Sequence, residues 1–414
     1  MSLFKKKKDI KEIELSEKHI GLRWTLVAIF LGIGLICIAV FLFSLLGEEK
    51  GWQIIAPTDK SFMPEGEISL QYNLGTTESS PSKEKKEVER IYTEALSASY
   101  KLFDVYRAYD GIINVHYINQ HPNEELIVDR ELYKAFELIE SFSNRSIYLG
   151  IVQTEYRNVF MSTDDLSAEL GDPNFNEEAK RYIEELTRFT GDPNSVNIEL
   201  LGDNKIKLNV SADYAALFAE YDEVNYIDFA WLTNAFVVDG VANALTARGY
   251  TNGYVISYEG YVRYLDSANN RYSLNLNNRQ EKTVYPAGVA HCENIRSLVQ
   301  FRNYPINEIN SQNYYAYSNG TFATRYLNSD GYYVSALNDI LAYSTSKNCA
   351  QIALELSEIF IQEELDLNRI MQNSNEDIYT IWFSDSVIYY NDKNLQINEI
   401  YDNNGIKYTK KCVE

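Results

Sequence analysis

Tyr226-Ile227-Asp228-Phe229-Ala230-Trp231-Leu232-Thr233-Asn234-Ala235-Phe236-Val237-Val238-Asp239-Gly240-Val241-Ala242-Asn243-Ala244-Leu245 is the most ordered stretch of the chain. Val237, Val238, Val241, Ala242 and Leu245 recur at helical spacing, which predicts a helix with one buried stripe. Gly249 is placed to stop it, and Tyr254 to Ser257 then starts a strand. Working outward, Ile68, Leu70 and Tyr72 alternate as a strand does. Ser82 is placed as the N-cap of a helix whose apolar face is Val88, Ile91, Tyr92, Leu96, Tyr100 and Phe103. Further helices are predicted over 129–141, 176–187 and 348–364. Short strands surround 196–210 and close the chain over 378–390 and 394–401. Helices and strands do not strictly alternate, so the fold class is α+β. No internal repeat is visible.

The chain has 414 residues, with 45% apolar and 23% charged positions, which excludes bulk disorder. Its 38 Lys+Arg against 59 Asp+Glu leave a net charge of −21, which repels phosphate backbones and argues against nucleic-acid binding.

Trp24 to Leu46 is a run without charged residues, and at about 1.5 Å per residue it reaches roughly 34 Å, enough to cross a bilayer core. Lys5, Lys6, Lys7, Lys8, Lys11, Lys18 and Arg23 precede it, and Gly47, Glu48 and Glu49 follow. The positive-inside rule predicts a single-pass anchor with a cytoplasmic N-terminus and an extracytoplasmic remainder. A cleaved signal peptide has a shorter apolar core and a small-x-small site, which Phe43-Ser44-Leu45-Leu46 lacks. Cys37 reads as an apolar side chain of the span. The expected organisation is a basic tail over 1–23, the span over 24–46, a juxtamembrane linker over 47–65 and an exported domain over 66–414. Cys292, Cys349 and Cys412 are odd in number and far apart, leaving room for at most one bridge and lacking metal-ligand spacing.

The common catalytic constellations are missing. His116, His121 and His291 do not form a zinc-hydrolase helix pattern, and there is no Gly-x-Ser-x-Gly elbow and no Gly-rich phosphate loop. His291 and Cys292 are adjacent, so on a strand they point to opposite faces. Asp164-Asp165 and Asp222-Glu223 read as solvated loop carboxylates.

From Ile227 to Asp239 the chain resembles the ApbE-type FAD:protein FMN transferases, which carry Ile-Asp-Leu-Gly-Gly-Ile-Ala-Lys-Gly-Tyr-x-x-Asp there. Asp228 and Asp239 match. The Gly-Gly pair is Ala230-Trp231 and the Lys-Gly pair Asn234-Ala235. Gly260 keeps one of two glycines that end the following strand. Phe62-Met63-Pro64 stands where the family has Met-Gly-Thr, and Asn119 where it has the Asn of Ser-x-x-Ser-x-x-Asn. The resemblance covers most of residues 60–390 and implies an ApbE-like domain.

The positions that carry chemistry in that family are changed. In the segment resembling His-x-x-Asp-Pro-x-Thr-Gly, Arg325 stands for the His, Asn328 for the Asp and Ser329 for the Pro. At the Ala-Asp-x-x-Ser-Thr helix start, whose Asp and Thr help hold Mg²⁺ at the FAD pyrophosphate, stand Gln351 and Glu355. Ser143 to Tyr148 replaces Ser-x-Gly-x-Phe-Asp. Mg²⁺ favours hard, usually carboxylate, oxygens, and arginine cannot act as a general base.

By resemblance, Asp239, Gly260 and Arg325 are the cofactor-binding candidates. For Asp239 two further interpretations compete: it caps or pairs near the former cofactor site, or it simply faces solvent on the helix's first turn, where the dipole favours a carboxylate. No catalytic or metal-ligating residue is assigned. The expectation is a membrane-anchored, non-catalytic ApbE-like protein that binds or scaffolds an envelope protein and needs no cofactor. The alternatives are an active divergent transferase using FAD and Mg²⁺ to flavinylate exported proteins, and a structural surface protein. The expected partners are the lipid bilayer, through Trp24 to Leu46, and that envelope protein.

Overall fold

The computed structural model describes residues 25, 29–30, 33, 50–59, 61, 67–221, 225–266, 271–403 and 405–413. The chain divides into two units, Met1–Glu49 and Lys50–Glu414. Of the predicted span Trp24 to Leu46, residues 25, 29, 30 and 33 are described and are helical, and the rest, with the basic tail, lies outside the described residues. Among the described residues no helix is long and apolar enough to cross a membrane. Phe62-Met63-Pro64 and Asp222-Glu223 also lie outside them.

The second unit is built on a nine-stranded sheet whose spatial order follows the chain. Its strands are β1 (Gly51–Ile55), β2 (Ile68–Leu74), β3 (Gly253–Ser257), β4 (Tyr261–Tyr264), β5 (Ser297–Arg302), β6 (Asp339–Ser344), β7 (Tyr379–Ser384), β8 (Val387–Tyr390) and β9 (Thr409–Cys412). Every neighbouring pair is antiparallel except β8 and β9. In β2, Ile68, Leu70, Tyr72 and Leu74 are all buried, as the alternation predicts.

The linker expected over 47–65 is corrected by β1. Gly51 to Ile55 pairs with β2, from Gly51 opposite Leu74 to Ile55 opposite Leu70. It is an edge strand with Trp52 and Ile54 exposed. Its backbone closes the edge of β2 while its side chains show little apolar alternation, so periodicity misses it.

Four helices matter for the site: α1 (Pro81–Phe103), α2 (Gly150–Phe160), α3 (Thr233–Thr246) and α4 (Cys349–Phe360). The first begins at Pro81, with Ser80 rather than Ser82 at the N-cap, because proline's fixed φ suits the first helical position. All five residues of the predicted α3 stripe are buried. Close packing of α1 on α3 depends on Gly240, where a Cβ would stand 2.5 Å from Ser99 Oγ. The last helix stops at Phe360, four residues short of the expected end, where the Phe360 carbonyl accepts from Ala336 N at 2.9 Å.

The sheet buries both faces. Val299, Phe301, Ile340 and Ala342 join the large core that contains the helices' buried residues. Their neighbours Leu298, Leu341 and Tyr343 turn to the other face, where they meet a three-stranded sheet of Arg271–Gln280, Thr283–Glu293 and Gln396–Ile400. A third sheet joins Glu125–Ile127, Val196–Gly202 and Lys205–Val210. The result is α+β in layers.

Candidate functional site

A cavity of about 460 Å³ opens where seven segments converge: the residue before β2, the C-terminal end of α1 with the residues after it, one face of α2, the turn leading into α3 with its first residues, the β3–β4 turn, Gln312-Asn313, and Arg325. Tyr100, Phe103 and Phe160 supply rings. Glu67, Asp104, Asp228 and Glu259 supply carboxylates, and Arg157 and Arg325 supply guanidiniums.

Two of these charged groups, Arg325 and Glu259, are committed to each other. Arg325 Nη2 lies 2.7 Å from Glu259 Oε2, with both side chains buried. Asn313 Nδ2 donates to the other oxygen, Glu259 Oε1, at 2.7 Å. Arg157 stacks over the Tyr106 ring at 4.3 Å, and burial draws its pKa down against the pull of the Asp228 charge. Burial raises the Asp228 carboxyl, opposed by the Ala230 N–H that it accepts at 2.7 Å.

Glu67 is buried beside a second carboxylate. Asn234 Nδ2 donates to Glu67 Oε1 at 2.6 Å, while Glu67 Oε2 is buried with no hydrogen-bond partner among the described residues. Burial, and then the nearby Glu259 charge, push its carboxyl up to about 7, against the pull of Asn234 and Arg325. Asn234 Oδ1 and Arg325 Nε are also buried without partners among the described residues. Such groups are rare in folded proteins because each gives up its solvation.

Of the three residues expected to hold a cofactor, only Arg325 lines this cavity. Asp239 is turned to structure: it accepts from Cys349 N and Ala350 N at 3.0 Å each, at the start of α4, with Arg263 Nε at 3.6 Å. Gly260 sits in the β3–β4 turn at φ +103°, where a Cβ would stand 2.0 Å from the Gln300 carbonyl oxygen. Its own carbonyl accepts from Gln300 N at 2.7 Å. Backbone geometry alone accounts for glycine there.

The other family positions are also tied into the fold. Gln351 forms a reciprocal capping box with Asn348. Glu355 Oε2 is 3.0 Å from Arg369 Nη2. Trp231, where the family has glycine, is fully buried and edge-on to Phe301 at 5.4 Å. Asn119, at the family's Asn, is buried; Nδ2 donates to Ile227 O and Oδ1 accepts from Ile227 N. Asn328, Ser329 and Asp330 line a second cavity of about 770 Å³ with Arg145 and Ser146. Arg145 donates there to Thr190 O and Val196 O. No histidine lines either cavity. His291 bonds Ser273 Oγ at 3.0 Å, and Cys292, Cys349 and Cys412 are unbridged.

Glu67 was the residue hardest to find from sequence. It stands next to Ile68, so strand alternation places it on the face opposite Ile68, Leu70 and Tyr72 and gives no sign of its burial. Asp228 and Asn234 lie inside the family-like segment and Glu259 beside Gly260, without any sign that they share one cavity with Glu67.

The layered sheet and its covering helices form an ApbE-like flavin-transferase fold. The chain is similar to the ApbE protein of Thermotoga maritima, with a TM-score of 0.54 and 13% identity over 81% of this chain and 94% of that one. It is also similar to the flavin transferase ApbE of Vibrio cholerae, with a TM-score of 0.52 and 11% identity over 85% of this chain and 97% of that one. At such identities the likeness is one of fold. Neither a protein-family model nor a curated protein matches the chain.

FAD and Mg²⁺, which the fold family implies, do not fit the donors present. A pyrophosphate needs accessible positive charge, yet Arg325 is closed against Glu259 and four carboxylates line the cavity with two guanidiniums. Among the described residues no three His, Cys, Asp or Glu side chains are grouped to hold a metal, and Glu355 is spent on Arg369.

Proposed function

We propose that this chain is a non-catalytic relative of the FAD:protein FMN transferases, anchored by Trp24 to Leu46 and acting outside the cytoplasm as a binding or scaffolding component for an envelope protein. One observation carries this function: Arg325, at the position of the family's histidine, is locked in a buried ion pair with Glu259. A guanidinium held by a carboxylate neither accepts a proton nor neutralises a phosphate. The Glu355–Arg369 pair and the buried Trp231 ring support the same conclusion at the metal and glycine positions.

The test is to incubate the full chain with FAD, Mg²⁺ and an acceptor domain carrying a flavinylation threonine, and to weigh the acceptor. The expected result is no added FMN mass. A gain that disappears with EDTA overturns the non-catalytic assignment.

A further inference from the structure

We infer that the cavity bounded by Glu67, Asn234 and Arg325 binds a small organic ammonium compound that also carries an oxygen acceptor. This deepens the function proposed above, since it rests on the cavity having left flavin chemistry, and it names a ligand class for that cavity.

Three residues that line the cavity each carry a buried polar atom without a partner among the described residues. Two of these atoms, Glu67 Oε2 and Asn234 Oδ1, are acceptors when Glu67 is ionised. They belong to neighbouring side chains, because Asn234 Nδ2 already donates to Glu67 Oε1 at 2.6 Å. Glu67 is 8% exposed and Asn234 is 1% exposed, so both side chains are withdrawn from bulk solvent. An ammonium group has three donors and a positive charge, and so matches a carboxylate oxygen beside an amide oxygen. The third atom, Arg325 Nε, is a donor and calls for an oxygen on the same ligand.

The remaining wall agrees. Tyr100, Phe103 and Phe160 give the lining an aromatic part that suits a ring on the same compound. Four carboxylates and two guanidiniums line the cavity, so with Glu67 and Asp228 ionised the lining is net acidic and concentrates a cation. A bare divalent ion is a poorer match, because no group of three ligating side chains is assembled among the described residues. About 460 Å³ accommodates a compound the size of an aromatic amino-acid amide.

The probe is L-phenylalaninamide, which has an ammonium, a carbonyl oxygen and a ring. Calorimetric titration of the full chain is compared with titration by N-acetyl-L-phenylalaninamide, which has lost the charge, and by FAD with Mg²⁺. The expected result is binding of the amide, none of the acetylated compound, and a loss of about tenfold or more in Glu67→Gln and Asn234→Ala. Equal binding of the acetylated compound, or no binding of the amide by the wild-type chain, overturns the inference whatever the variants do. If neither amide nor FAD binds, only the ligand inference fails. If FAD binds and transfers FMN, the non-catalytic assignment fails.

Discussion

Asp239, in the middle of α3, caps the first turn of α4 at Ala350: its Oδ2 accepts the Ala350 N–H at 3.0 Å while Oδ1 accepts that of Cys349. One carboxylate thereby satisfies two of the amides that a helix start leaves open, and it stands at the positive end of the dipole. Arg263 Nε, buried and otherwise without a partner among the described residues, lies 3.6 Å away.

Replacing this residue is therefore expected to cost stability. Asp239→Ala leaves two amides and a buried guanidinium uncompensated, for a loss of about 3–5 kcal/mol in urea unfolding. Asp239→Asn keeps one acceptor and should lose less. Both variants unfolding within about 0.5 kcal/mol of wild type would falsify the capping role.

Leu245 is completely buried near the end of α3. Leu245→Ala is expected to cost about 2–5 kcal/mol, through lost burial and the cavity left behind. Chemical denaturation measures it, and an unchanged midpoint would reject the placement of this stripe in the core.

Glu67 makes stability depend on pH with a definite sign. Its folded carboxyl is raised to about 7, chiefly by burial, so the folded chain binds more protons than the unfolded one between the ordinary glutamate range and that value. This contribution is fully present below the ordinary range and is lost as pH rises through about 7. Glu259, Arg325 and Asn234 face the same group, and Glu67→Gln leaves them in place. The melting temperature of Glu67→Gln should therefore gain on wild type between about pH 5 and about pH 8. A difference that is flat or of opposite sign sinks the assignment.

Protease added outside intact cells should digest the chain beyond Gly47 and spare the end bearing Lys5 to Lys8. Protection of the large unit in cells whose wall admits the protease would reverse the proposed orientation.

Local periodicity was enough for α3, β2 and α1, because 3.6- and two-residue spacings are written in adjacent positions and the buried stripes follow them. The edge strand β1 escaped for a converse reason. Its fit is a matter of backbone pairing with β2, and Trp52 and Ile54 on it remain exposed. The family-like segment pointed to Arg325 and Asp239 as ligand positions, but nothing in their neighbours along the chain says whom they face.

That choice belongs to the tertiary structure. Arg325 meets Glu259 only because the segment after Phe322–Thr324 and the β3–β4 turn reach one cavity, and Asp239 meets Ala350 only because α3 lies against the start of α4. Along the chain alone one could read an acidic α+β protein, its buried stripes, and a resemblance to the ApbE type in which Arg325 and Gln351 stand where that family has histidine and aspartate. Which carboxylate closes on Arg325, and which polar atoms of Glu67 and Asn234 are left without partners, was decided by long-range closure. A buried charge is stabilised by whatever lies within a few ångströms, and that distance is set by the whole fold rather than by spacing along the chain.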